Sequence, residues 1–138
     1  MAKLNTNGNV YTIVYAAVMV IIVAFLLAFV ASALKETQDK NVALDTKKQI
    51  LAALNIRDCE DADAKYNEVV APGDLNRDTL TAVVDGQEKL IVKVKGAGLW
   101  GGIGGYLALN DDKNTIFGIN FNHESETPGL GALIVEKP

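Results

Sequence analysis

Residues 10–34 read VYTIVYAAVMVIIVAFLLAFVASAL, a run without an acidic, basic, amide or histidine side chain. As an α-helix it extends roughly 37 Å, more than the hydrocarbon core of a bilayer at about 30 Å. Neither proline nor glycine interrupts it, so the helix satisfies its own backbone polar groups, as lipid requires. Tyr11 and Tyr15 stand near one end, where aromatic rings favour the membrane–water interface. The segment is predicted to be an uncleaved anchor, residues 1–34, in contact with the lipid bilayer. A cleaved signal peptide is the competing reading, because Ala31-Ser32-Ala33 has the small residues of a cleavage box. Against it, the apolar stretch exceeds the roughly 7–15 residues of a leader's core.

The anchor divides a chain of 138 residues into two unlike parts. Residues 1–34 hold one charged side chain, Lys3, and all 17 acidic residues follow. With a net charge of −4 and a pI near 4.9, the chain has no basic cluster to displace counterions from phosphates, so nucleic acid is not an expected partner. Cys59 alone makes no internal disulfide, and with a single histidine, His123, no metal site is expected. Lys35, Lys40, Lys47 and Lys48 follow the anchor, which on a simple positive-inside count keeps the domain cytoplasmic. That rule weakens for a sizeable domain, so charge leaves the sidedness open.

Beyond the anchor, Val42, Ile50, Leu51 and Leu54 recur at helical spacing. They predict a helix over 36–54, a stalk and packing segment within 35–56. Residues 57–138 form the domain. Arg57–Lys65 reads as a solvated loop or helix edge, and Tyr66–Val70 as a short apolar patch ended by the turn Pro72-Gly73-Asp74. Thr79–Val84 is a β-branched strand closed by the hairpin dipeptide Asp85-Gly86. Leu90–Lys95, Tyr106–Leu109 and Thr115–Phe121 are further strands, the last two joined by a polar loop over 110–114. The predicted class is α+β: one N-terminal transmembrane helix, then a small, mostly antiparallel sheet domain.

Nine of the twelve glycines lie between Gly96 and Gly131. Gly96-Ala97-Gly98-Leu99-Trp100-Gly101 satisfies G-x-G-x-x-G, but a dinucleotide site needs a helix to start there. Gly102-Ile103-Gly104-Gly105 follows instead, costing a helix about 1 kcal/mol per glycine, so that reading is set aside. The G-x-x-x-G pairs lie in an apolar run too short for a membrane dimer. Trp100 fills the core, or it lies against a flat aromatic cofactor. In Glu126-Thr127-Pro128-Gly129-Leu130-Gly131, proline restrains the backbone on one side and the glycines permit positive φ around Leu130. That loop is an ordinary turn, or it presents a carboxylate, a hydroxyl and backbone N–H groups to the polar edge of a ring. His123 reads as solvent-facing in a polar loop without triad partners, and Cys59 as an inert thiol. No catalytic residue is expected.

Together, K-G-x-G-L-W-G, a glycine-rich strand, a hairpin strand and E-T-P-G-L-G behind an N-terminal anchor resemble one family. It is the C-type subunit of the Na⁺-translocating NADH:quinone reductase, with the G-type subunit of the RNF electron-transport complex as a relative. The GLWG element (98–101) and the stalk favour the sodium-pump family. The resemblance implies an FMN-binding-type domain, residues 57–138, carried on the periplasmic side of the inner membrane. It implies electron transfer alongside other subunits of a complex that oxidises NADH, reduces quinone and exports sodium. The isolated chain is then expected to be inactive. Carried onto matching positions, it places Leu99, Trp100 and Gly101 near the flavin, and Glu126, Thr127, Gly129, Leu130 and Gly131 against its ring. In the family FMN is attached covalently to a threonine of an S/T-G-A-T motif beyond E-T-P-G-L-G. Here Gly131-Ala132 is followed by Leu133 and the chain ends at Pro138, so the expectation is a C-terminally incomplete domain lacking that threonine. The alternatives are an FMN-carrying member of the RNF complex, and an anchored extracytoplasmic assembly or binding domain without flavin.

Overall fold

Helix α1 runs without a break from Asn9 to Ala53 in the computed structural model, which describes residues 8–75 and 77–135. Lys3, ahead of the anchor, and the final residues to Pro138 lie outside the described residues. The chain divides into two compact units, Met1–Lys40 and Asn41–Pro138. In the first, α1 carries its apolar run exposed along its length, with Phe25 and Phe29 each at 74%. This segment is long and apolar enough to cross a membrane. Tyr11 and Tyr15, one turn apart, stack with ring centroids 6.3 Å apart.

The second unit begins within α1, whose last turns bury Ile50, Leu51, Ala53 and Leu54 almost completely. The helix stops in a Schellman motif: the Asn55 N–H donates to the Ala52 carbonyl, and the Ile56 N–H to that of Leu51. Asn55 takes the left-handed backbone at φ 62° in place of the usual glycine. Its amide also donates to the Phe117 carbonyl at 3.0 Å, pinning the helix end to the sheet.

The sequence pattern gives a loop or helix edge over 57–65 and an apolar patch over 66–70; a helix, α2, instead spans Ala62–Val69. Asp61 caps it, its carboxylate accepting from the N–H groups of Asp63 and Ala64. Ala62, Tyr66 and Val70 then fall on one buried side.

Four antiparallel strands follow in the order β1 (Thr79–Val84), β2 (Gln87–Ala97), β3 (Gly102–Leu109) and β4 (Ile116–His123). Asp85 and Gly86, at φ 52° and 76°, form the expected two-residue hairpin. β2 and β3 both extend further than expected, because the glycines of 102–105 sit within β3. The last strand, predicted over Thr115–Phe121, starts one residue later and runs on through His123. In the β3–β4 loop Asp112 accepts from the Thr115 hydroxyl and from the N–H groups of Thr115 and Asn114. Those hydrogen bonds, that of the Thr115 hydroxyl first, hold its carboxyl below the ordinary aspartate value.

Register puts Leu80, Ile91 and Ala108 on one face, opposite one another across three strands. This face forms a single core with Ile50, Leu51, Leu54, Tyr66 and Val70. Gly118 lies where the end of α1 meets the sheet: a Cβ there would come within 2.3 Å of the Ala53 carbonyl oxygen. Burial pushes the phenols of Tyr66 and Tyr106 above the usual tyrosine value, and for Tyr66 the proximity of Tyr106 adds to it. The architecture is α+β, one long N-terminal apolar helix and a small antiparallel sheet domain.

Candidate functional site

Antiparallel pairing brings the two glycine-bearing motifs to one end of the sheet. The last β2–β3 pair is Ala97↔Gly102, so Gly98-Leu99-Trp100-Gly101 is the loop of that hairpin. It is closed by the Gly98 N–H donating to the Gly101 carbonyl at 2.7 Å. β4 pairs with β3 up to Ile103↔His123, and the Glu124 N–H extends the ladder to the Gly102 carbonyl. The chain therefore leaves β4 beside the hairpin tip, and Glu126–Gly131 follows directly. Neither motif opens a helix of the kind a dinucleotide site needs.

Leu99 and Trp100 stand out at the tip, 83% and 68% exposed. The core-filling reading of Trp100 is thus set aside, since a buried indole would be covered on both faces. Thr127-Pro128-Gly129-Leu130 is a type II turn. Proline occupies its second position, Gly129 has φ 77°, and the Leu130 N–H donates to the Thr127 carbonyl at 3.1 Å. Leu130 is 73% exposed on this turn. The sequence allows positive φ on both sides of Leu130, but only Gly129 uses it. A short 3-10 turn, Gly131–Val135, follows.

Gly131 serves another purpose. A Cβ there would lie 2.6 Å from Glu126 Oε2, and one on Gly98 would lie 2.1 Å from Glu126 Oε1. The two glycines, far apart in sequence, leave room for one carboxylate. Glu126 is buried between them and its Oε1 accepts from the Trp100 backbone N–H at 3.2 Å. A carboxylate withdrawn from water needs such donors, because desolvation without them is costly. Sequence suggests that the glycines bare the backbone to a ligand; at Gly98 and Gly131 they admit Glu126.

His123, expected to face solvent in a loop, is instead the last residue of β4. It is partly buried, with Nδ1 accepting from the Glu126 N–H at 3.3 Å. Glu124 adds a second link between the loops, accepting from the Gly102 N–H at 3.3 Å. The signal for His123 is its place three residues before Glu126, the reach of a local turn. Beside it opens a groove of about 370 Å³ lined by Lys93, Lys95, Tyr106, Asn122, His123 and Glu124, among others.

The site thus joins exposed apolar side chains, Leu99, Trp100 and Leu130, to a framework of backbone and carboxylate hydrogen bonds. That donor set suits a planar aromatic group with apolar faces and a polar edge. Among the described residues no cluster of His, Cys, Asp and Glu could hold a metal ion.

Comparison with known proteins agrees with this geometry. The family described as FMN-binding domain matches residues 98–137, which begin at the hairpin loop and include the second loop. The C-type subunit of the Na(+)-translocating NADH-quinone reductase from Chlamydia muridarum is 53% identical over 47 residues, 34% of this chain and 15% of that protein. Its counterpart from Pseudomonas aeruginosa is 47% identical over 47 residues, 34% of this chain and 18% of that one. The crystal structure of the counterpart from Parabacteroides distasonis superposes with a TM-score of 0.69 at 37% identity, covering 75% of this chain and 64% of that one. The matched stretches are thus under a fifth of these curated relatives' length and under two thirds of the crystallised chain. The hairpin tip, the loop latched beside it and the α+β frame that unites them all occur where these matches fall, and the chain belongs to the FMN-binding-domain family of the C-type subunit of Na(+)-translocating NADH-quinone reductase.

Proposed function

We propose that this chain is a flavin-carrying electron-transfer subunit, with FMN as its cofactor, in a membrane complex that oxidises NADH, reduces quinone and exports sodium. One observation carries the reading: the two loops within the family match, 98–101 and 126–131, are joined through the bond from the Trp100 N–H to the Glu126 carboxylate. Bound FMN supplies reversible one- and two-electron redox chemistry. This chain's residues do the rest. Leu99, Trp100 and Leu130 cover apolar faces of the ring and exclude water. Gly101, Thr127, Gly129 and Gly131 set the loop backbones at its edge, and Glu126 holds those loops in register while placing a negative charge nearby. A fixed carboxylate opposes added electron density on a neighbouring group, so its placement tunes the potential.

Residues 1–34 hold the domain at the inner membrane, with residues 35–56 as the stalk and 57–138 as the flavin domain on the periplasmic side. The neighbours it exchanges electrons with are the other subunits of the reductase. The exposed apolar run of α1 and the names of the relatives support this arrangement.

The test is FMN titration of the full chain in detergent, read by flavin fluorescence. Saturable quenching is expected, and Trp100→Ala is expected to weaken it about three- to tenfold, the worth of one aromatic contact. Absence of saturable quenching with the unaltered chain overturns the reading.

A further inference from the structure

We propose that His123 is a positioning residue for the paired loops: its neutral imidazole holds the backbone of Glu126, and protonation of the ring releases the 126–131 loop from Trp100. The proposal deepens the flavin reading above but stands on the loops themselves.

The bond from the Glu126 N–H to His123 Nδ1, 3.3 Å long, fixes the chemistry of the ring. A backbone amide only donates, so Nδ1 must present a lone pair. The imidazole is then neutral, with its proton on Nε2. An imidazolium carries a proton on both nitrogens and would turn an N–H toward an N–H.

The consequence passes on through Glu126. Its carboxylate sits between Gly98 and Gly131 in a space that neither position could share with a Cβ, and accepts from the Trp100 N–H. A carboxylate so closely enclosed follows its own backbone. His123 thus connects to the hairpin tip through two hydrogen bonds and one side chain. β4 holds the imidazole in place: His123 pairs with Ile103, and its own N–H donates to Asn122 Oδ1 at 2.8 Å.

Other titratable groups share the groove with the ring. They are Lys93 and Lys95 from β2, Tyr106 from β3 and Glu124 beside it, while α1 contributes the uncharged Thr46 and Gln49. Glu126 stands at the far end of the hydrogen bond. None of these can replace Nδ1 as acceptor without moving the 123–126 turn.

The chain has one histidine and one tryptophan, so both ends of the connection can be read without labels at other sites. The experiment uses the full chain in detergent micelles without flavin. Nitrogen NMR of the imidazole at neutral pH should show the proton on Nε2. Between about pH 5 and 8, the range over which histidine ordinarily titrates, Trp100 fluorescence should change along the same curve as the imidazole resonances. His123→Asn keeps an acceptor at the right reach but does not titrate; its Trp100 fluorescence should stay flat at the high-pH level. His123→Ala should sit at the low-pH level throughout. A proton on Nδ1 of the neutral ring, Trp100 fluorescence that ignores the histidine titration, or an unchanged curve in His123→Asn each overturns the proposal. The first two are read on the unaltered chain, so a variant that fails to fold does not block the test. Added FMN separates this claim from the one it rests on. Affinity several-fold weaker on the acid side in the unaltered chain, but constant in His123→Asn, supports both. FMN binding with Trp100 insensitive to His123 overturns this inference alone. Coupling without any FMN binding overturns only the flavin reading.

Discussion

Lys89 shows how far a single residue can depart from its sequence pattern. The stretch LIVKVK reads as a half-buried strand with its lysines toward water. β2 begins earlier, at Gln87, and strict alternation puts Lys89 on the side of Ile91, facing the core. It is 2% exposed, yet its ammonium is satisfied: it donates to Gln87 Oε1 at 2.8 Å and Asn110 Oδ1 at 2.7 Å and lies 4.5 Å from the centre of the Phe117 ring. Asn110, expected as part of a polar loop, is therefore a partner of a buried cation. Removing it in Asn110→Ala is expected to cost about 1.5–3 kcal/mol, the range for hydrogen bonds to charged groups. Chemical denaturation measures it, and a loss below about 0.5 kcal/mol would mean that water reaches the ammonium. Trp100 is the converse case. From sequence, one tryptophan among glycines suits a core and a site equally; only the hairpin geometry puts it outside.

At the scale of elements, the hairpin at Asp85-Gly86 and the end of α1 are legible because each rests on local chemistry. A two-residue turn needs positive φ, and a helix stops where its periodic apolar residues stop. Helix α2 escapes a reading by pattern because eight residues rich in charge show little periodicity. Its cues are Asp61 as cap and the spacing of Ala62, Tyr66 and Val69. The reason for Gly118 is not legible at all, since it depends on a helix end reached 62 residues earlier in the chain, through Asn55 and Phe117. Gly118→Ala is expected to destabilise by about 1–3 kcal/mol, because the Ala53 carbonyl is backbone and yields only if the helix end shifts. Gly104→Ala is the control: a Cβ there would lie 3.7 Å from the Val94 carbonyl oxygen, an ordinary contact. Equal melting shifts for the two would contradict the close approach of α1 to β4.

At the scale of the molecule, the core of the second unit imposes a pH dependence. Tyr66 and Tyr106 ionise above the usual phenol value near 10.0 because burial penalises phenolate. The unfolded chain releases these protons first as pH rises, so folding binds more protons there and stability falls. The contribution is complete below about pH 10 and is lost as pH climbs toward the folded values. The Tyr66 hydroxyl is buried without a hydrogen-bond partner, so Tyr66→Phe is expected to leave neutral-pH stability within about 1 kcal/mol. The same variant should flatten the alkaline decline of the melting temperature. An alkaline limb unchanged in both Tyr66→Phe and Tyr106→Phe would assign the decline to other groups.

By itself the sequence determined the apolar helix, the antiparallel class and the two glycine-bearing loops, because length, alternation and turn chemistry act over a few neighbouring residues. Tertiary structure alone decided that those loops meet. The meeting depends on the register of β3 between β2 and β4, a property of paired strands that no local stretch contains. It decided also that Gly98 and Gly131 serve one carboxylate, and that a histidine at the end of a strand holds it there.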